Sequence, residues 1–540
     1  MHLKRWEKYA LVGATAVLLG GVSLVLPAGA SRGASVSLTA PDTEFASEVE
    51  ELGYQHALDH LVARNETRII NASPAAAAPR PAVAGDPSTV GQWTAPFDPG
   101  TPSIGIHAAM LRTGKVLMFG TRFGTKGFYS GAYVWDPITG AIHQTNPPNM
   151  IFCGGQTILA DGKVYVAGGT LGGTGPKGAL TNMLFDPVTE TWTTAQANPT
   201  GYWYPTVTEL QDGTGLIQSG TDSSGVLNPN VVRFNPNGTP QVSTVAVNAF
   251  DDYYAMVQIL PDGNLLVEQS GKVQLLNPTT WTYSDAGAYL QKYKTAIGAG
   301  SVLLPGPPSG SNKVAVFGGF GVNPNLVTDK VQQYDATNKT APFSFLAPIP
   351  EPRVHMNGVL LPDGTILGVG GNSYSKTLRP DLDAQLYNPA TNTWTQMASQ
   401  TLNRTYHSTA VLLPDGRVLS AGDNNPGGGG NMLEVYSPPY LFKGTRPATP
   451  RVASTTLSYG HTFTITTDGT ATRAVLMAPS AVTHALDMHQ RHVELAITAT
   501  AGGLTATAPA NANLAQPGWF MLFVLNSANV PSVATWVYLS

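Results

Sequence analysis

One cysteine, Cys153, stands in a chain of 540 residues. It excludes a disulfide within the chain and any metal site built from several thiolates, so stability has to come from a buried core. Charge is scarce as well. Asp, Glu, Lys and Arg make up 12% of the residues, about half the ~25% usual for soluble domains. The formal net charge of −4 leaves no basic excess to neutralise phosphates, which excludes a nucleic-acid binder. Long apolar runs are confined to one place, residues 9–26, which follow Lys4, Arg5 and Lys8 and precede Ala28-Gly29-Ala30. Such a segment sends the chain across a membrane. It exceeds the ~7–15-residue core of a signal peptide and approaches the ~20 residues that span. A cleaved signal and a retained anchor both fit, and everything after residue 31 is expected outside the cytoplasm.

What is plentiful is turn chemistry. The chain has 58 glycines and 42 prolines beside a hydrophobic fraction of 42%, a composition that favours an all-β, turn-rich protein of at least two domains. Residues 31–90 read as a spacer, with a helical pattern over 45–61 and an Ala/Pro-rich stretch over 72–84. His56 and His60 sit at i, i+4 in that pattern and are read as a solvated helix face rather than as metal ligands.

Beyond residue 91 a repeat appears: an apolar run, a turn with glycine, a second apolar run, then paired glycines. The turn glycines Gly114, Gly162, Gly213, Gly263, Gly364 and Gly416 recur about every 50 residues, with one double interval. The double interval hides a unit in which Leu303-Leu304-Pro305 and residues 314–317 flank an enlarged turn, which makes seven units. Later in each unit comes an aromatic or Leu before Asp, Asn or Ser, as in Trp135-Asp136, Phe185-Asp186 and Tyr334-Asp335. This is the period of a kelch blade and predicts a seven-bladed β-propeller over residues 91–443, with a closing strand from residues 91–97 around Trp93. After Pro438-Pro439-Tyr440-Leu441-Phe442 the repeat stops. Residues 446–540, with short alternating strands, suit an Ig-like β-sandwich.

In a propeller the innermost strands line a channel, so residues at one offset from the turn glycine form a ring at one depth. Nine positions before the glycine stand Cys153, Tyr204, Tyr254, His355 and His407, with Tyr406 beside His407. Channel walls do not need imidazole, phenol and thiol for packing, and their convergence makes a candidate metal or redox site. Two nitrogen and two oxygen donors suit tetragonal Cu(II), and the lack of a carboxylate cluster argues against calcium or magnesium. Bland readings compete with this one. A lone cysteine is commonly a small buried hydrophobe, and tyrosines pack between blades. His107 is out of phase with the ring but is placed to line the pocket.

These stretches resemble the copper radical oxidases, a family that includes galactose oxidase and glyoxal oxidase. The matching strings are Phe152-Cys153-Gly154-Gly155, Trp203-Tyr204-Pro205-Thr206-Val207-Thr208, Arg404-Thr405-Tyr406-His407-Ser408, Pro438-Pro439-Tyr440-Leu441 and Val482-Thr483-His484-Ala485. The resemblance implies that Tyr204 is the equatorial tyrosinate, joined through its ring to the sulfur of Cys153 by a thioether and holding the radical. It implies that Tyr406 is the axial tyrosine that accepts the substrate proton. His407 and His484 complete the copper set, His484 coming from the terminal domain, where His489 and His492 are rivals for the role. Tyr254 and His355 match none of these ligands and are read as channel-lining residues backing the site. Galactose oxidase also has a tryptophan stacked over the cross-linked tyrosine, and spacing assigns neither Trp203 nor Trp281 to that place.

The function implied is an extracytoplasmic oxidase of small aldehydes or of carbohydrate and other primary alcohols, with O2 as acceptor and hydrogen peroxide as product. It is expected to be a monomer, membrane-anchored through its N-terminal segment or secreted. The competing readings are a non-catalytic kelch module that binds glycan or protein at the cell envelope, and a degenerate oxidase that binds copper without turnover.

Overall fold

Glycine is required in the tight turns because the chain there goes left-handed. φ runs from 75° at Gly213 to 90° at Gly364, a conformation that strains any residue with a Cβ. Each turn glycine donates its N–H to the residue three before it, as Gly162 does to Leu159 O at 2.7 Å. In most turns an aspartate fixes the corner by accepting from the backbone two residues on, as Asp161 does from Lys163 N at 2.9 Å. The computed structural model describes residues 82–540 apart from 122–129, 172–176, 236, 238–239, 247–252, 270, 294–297, 322–326, 374–378, 381 and 424–428. The apolar N-terminal run and the 45–61 pattern with His56 and His60 lie outside the described residues.

Among the described residues, the hairpins assemble into seven antiparallel units of four strands, each in simple meander order. Their first strands are His107–Met110, Gly155–Ile158, Thr206–Glu209, Met256–Ile259, Ala299–Leu303, Asn357–Leu360 and Ser408–Leu412. The fifth unit has the enlarged turn, with Ala299–Leu303 paired to Lys313–Gly318. First and second strands are buried almost throughout, whereas outer strands such as Thr191–Ala195 are largely exposed. That gradient puts the first strands at the centre. From the second unit to the seventh, successive first strands lie side by side, and Ser408–Leu412 in turn neighbours His107–Met110. The last unit takes its fourth strand from the other end of the region: Gln92–Trp93 pairs with Glu434–Ser437. Residues 83–90, within the stretch read as spacer, are already tied down through Val83 N to Ser399 Oγ and Tyr436 Oη to Val90 O.

The C-terminal region forms a four-stranded and a five-stranded sheet around a core of its own that includes Ile465, Leu476, Leu504, Phe520 and Val537. One further hairpin, Ala481–Thr483 with Leu486–Asp487, leaves this region and joins the first unit, where His107 pairs with Thr483 and Ala109 with Ala481. It sits between the first strands of units one and two. A core cluster containing Met110, Leu412, Met477, Val482 and Phe523 crosses from the repeats to the C-terminal sheets. Fully burying side chains of this size stabilises by about 1.5–3 kcal/mol each, so the two parts share their stability.

Candidate active site

Six residues before the leucine that donates its N–H across each hairpin, the seven units carry Gly105, Cys153, Tyr204, Tyr254, Gly298, His355 and His407. Six of these are left-handed, with φ of 64° at Cys153, 60° at Tyr204, 47° at Tyr254, 97° at Gly298, 61° at His355 and 70° at His407. For residues with a Cβ this conformation costs on the order of 1–3 kcal/mol each and persists only where the surroundings impose it. Main-chain hydrogen bonds between neighbouring units do so. Tyr204 N–H donates to Cys153 O (2.9 Å), Tyr254 N–H to Tyr204 O (2.8 Å) and His355 N–H to Gly298 O (2.8 Å).

The left-handed turn has a second effect. In an extended strand, adjacent side chains point to opposite faces. Here the ring residue and the residue before it come together on one side. Trp203 stacks on Tyr204 with centroids 3.9 Å apart and planes 17° apart, and Tyr406 on His407 at 3.9 Å and 29°. This explains why two consecutive residues, Tyr406 and His407, reach one site. It also answers the question spacing left open: Trp203 covers Tyr204, while Trp281 lies elsewhere, under the Arg233 guanidinium.

The two phenols meet directly, Tyr204 Oη in a short hydrogen bond with Tyr406 Oη. Tyr204 lies within hydrogen-bonding reach of the Cys153 thiol, which burial holds well above its ordinary range. Burial likewise keeps the Tyr204 phenol far above its usual range, with Cys153 and Tyr406 adding to the effect. The His484 imidazole enters from the C-terminal hairpin, its Nε2 3.2 Å from Tyr204 Oη and its ring perpendicular to His407 at 4.5 Å. Its tautomer follows from its neighbour. Thr483 Oγ1 donates its hydrogen to Ile106 O (3.1 Å), so it accepts from His484 Nδ1 (2.7 Å), and Nε2 is left as the lone-pair atom. His489 and His492 are occupied elsewhere, with Pro479 O and Glu209 and with Pro362 O. Of the three candidate histidines, His484 alone is at the site.

Several supporting residues carried no signal in the sequence repeat. Gln156 donates Nε2 to Ala108 O (3.1 Å) and Val482 O (3.2 Å), joining both strands beside the hairpin, and accepts from His107 Nδ1 (3.0 Å). His107, held neutral by burial with its pKa pushed down to about 3, is thereby a support for the hairpin rather than a ring member. Asp423 accepts from Thr405 N and Oγ1 (2.7 and 2.8 Å) and donates N–H to His407 O (3.0 Å), which clamps the Tyr406-His407 corner. Asp423 directly follows Gly422 of the paired-glycine position, the one pattern that marks it. Tyr254 backs Tyr204 at 4.6 Å and donates Oη to Gly154 O (2.9 Å). His355 faces Tyr406 at 5.1 Å.

Among the described residues no three His, Cys, Asp or Glu side chains gather to hold an ion. The ring instead offers two imidazole nitrogens and two phenol oxygens, all from nearly buried residues. That mixed set fits tetragonal Cu(II) and is poor for calcium or magnesium. A groove of about 710 Å³ lined by Lys313, Lys443 and Arg473 contains none of these residues, so donor chemistry and not cavity size marks the site.

Comparison with known proteins agrees. The model of the glyoxal oxidase N-terminus matches residues 129–436, more than half of the chain, and that of the galactose oxidase-like Early set domain matches residues 446–539. The chain belongs to the glyoxal oxidase family of copper radical oxidases. Copper with a cysteine–tyrosine cross-linked radical ring is the cofactor of this family. Among glyoxal oxidase relatives, an aldehyde oxidase of Arabidopsis thaliana is 28% identical over 396 residues, 62% of this chain and 63% of that protein. Galactose oxidase of Gibberella zeae is 26% identical over 501 residues, 83% of this chain and 70% of that protein. In fold, the chain is similar to a fungal alcohol oxidase of the AA5 family solved in complex with copper (TM-score 0.72, 23% identity, 84% of this chain and 100% of that one).

Proposed function

We propose that this protein is an extracytoplasmic oxidase that converts small aldehydes, as their hydrates, or primary alcohol groups to the next oxidation level and passes two electrons and two protons to O2 as hydrogen peroxide. The observation that carries the reading is the meeting of Cys153, Tyr204, Tyr406, His407 and His484 at one end of the first strands. The seven units are taken as the blades of a closed propeller and the C-terminal sheets as an Ig-like sandwich.

Tyr204, Tyr406, His407 Nε2 and His484 Nε2 would hold the copper. Bound there, it supplies one of the two electron acceptors and polarises the substrate oxygen. The remaining work belongs to the chain. Tyr406 Oη accepts the proton of the substrate hydroxyl. The Tyr204 ring, made electron-rich by the thioether sulfur of Cys153, gives up and regains the second electron. Trp203 shields that ring from water, and Thr483 holds His484 in the tautomer that presents Nε2 outward. Asp423 and Gln156 keep the two histidine-bearing segments in place.

Intact mass is the direct test. Copper-loaded, air-exposed protein should be lighter than the unlinked chain by two hydrogens, with Cys153 resistant to alkylation. Cys153→Ser and Tyr204→Phe should lose the mass change and lower peroxide production from glyoxal or galactose by ~10³-fold or more, since the groups act as a unit. An alkylatable Cys153 after copper and air, or wild-type rates in either variant, rejects the mechanism.

A further inference from the structure

Among the ring residues, His355 carries an imidazole that makes no hydrogen bond to the described residues. It occupies the ring position of the sixth unit in a left-handed conformation, with its main chain tied to Gly298 O. Its imidazole is 8% exposed. Nδ1 is buried without a hydrogen-bond partner among the described residues, and Nε2, which is not fully buried, makes no hydrogen bond to them either. The contrast with His107 is informative, because there Nδ1 is committed to Gln156.

The surroundings make room for this ring. A Cβ on Gly298 would come within 2.5 Å of Val354 Cγ2 and 3.2 Å of His355 Cε1, so glycine at the fifth ring position makes room first for Val354 and then for the edge of the imidazole. Phe320 approaches its edge at 6.2 Å, and Tyr406 lies on its other side at 5.1 Å. A neutral imidazole offers one donor and one acceptor, and polar atoms placed in a nearly buried wall without protein partners are suited to a ligand.

We infer that His355 binds substrate, holding the second hydroxyl of a hydrated aldehyde and so setting the preference for aldehydes over primary alcohols. The inference rests on the oxidase reading above. Both hydroxyls of the hydrate sit on one carbon. When the first delivers its proton to Tyr406 Oη, the second must find a partner within a few ångströms of that phenol, and His355 is the polar side chain beside Tyr406 with nitrogens to spare. A primary alcohol carries hydrogen at that position and leaves the imidazole unbonded. A site built to hydrogen-bond a hydroxyl discriminates strongly against substrates that lack it.

The experiment compares full-length, copper-loaded wild type with His355→Phe and His355→Gln on propanal and propan-1-ol. His355→Phe should lower the ratio of kcat/KM for propanal over propan-1-ol by ~10-fold or more, mainly through KM, and His355→Gln should restore part of it. Propanoate, the acid product, should bind His355→Phe several-fold more weakly by calorimetry. Intact mass should show the Cys153–Tyr204 link in all three proteins. Equal losses on both substrates, or unchanged propanoate binding, overturns the role of His355 while leaving the oxidase reading standing. A wild type with no cross-link that oxidises neither compound overturns both.

Discussion

Each ring residue of this protein is set by a backbone angle as much as by its side chain. The left-handed φ at Tyr204 and His407 brings each residue and its predecessor, Trp203 and Tyr406, to one side, which doubles the number of functional groups that one strand entry can deliver. Trp203 is a product of this geometry. Trp203→Leu should leave the Cys153–Tyr204 cross-link intact by mass but shorten the lifetime of the oxidised ring several-fold, followed as decay of its optical absorption. An unchanged lifetime would mean that Trp203 only packs. The ring members were legible in the sequence because hairpin geometry fixes the count from turn glycine to channel. Of the residues before them, Tyr406 was placed at the site but Trp203 was not, since the usual alternation of a strand assigns it to the opposite face. Gln156 was likewise invisible, because its partners include main-chain carbonyls brought near by tertiary register.

At the scale of the element, the decisive piece is the Ala481–Thr483 and Leu486–Asp487 hairpin. It is held by pairing with His107–Met110 and by Gln156, whose amide reaches Ala108 O and Val482 O while its carbonyl receives His107 Nδ1. Gln156→Leu removes these bonds and leaves two carbonyls and an imidazole N–H buried and unpaired. The variant should lose about 2–4 kcal/mol of stability, read as a lower denaturant midpoint. It should also weaken copper retention by ~10–100-fold, read by competition with a chelator. Loss of stability with copper affinity intact would show that the hairpin reaches the site without Gln156. The string around His484 was visible in the sequence, but the hairpin's pairing with the first unit was not, because no local pattern marks a strand that leaves one domain to join another.

For the molecule as a whole, few charges are present, and several of those in the described residues are buried where the charged form is disfavoured, two glutamates among them. Burial pushes the Glu268 carboxyl up to about 8 and that of Glu209 to about 7. Glu268 accepts one hydrogen bond from Ser301 Oγ (2.6 Å), its other oxygen having no partner among the described residues. Between the ordinary glutamate value of ~4.3 and these raised values, the folded state binds more protons than the unfolded chain. Stability is therefore complete at low pH within this window and falls as pH rises toward 8. Calorimetry should find a lower Tm at pH 8.5 than at pH 6, and Glu268→Gln should flatten that slope and raise stability at pH 8.5 by about 1–3 kcal/mol. A slope unaffected by the substitution would mean that Glu268 already shares its proton with another group. The all-β repeat was open to sequence reasoning because turn chemistry recurs. These acids were not, since the same Glu in a strand pattern reads as solvent-facing until the sheets are packed around it. The hairpin that carries His484 also imposes an order on the protein's making. Residues 481–487 leave the ribosome after every repeat unit, so the last of the four proposed donors arrives after the others, and on that proposal a nascent chain has no complete site with which to generate peroxide before its final domain has folded.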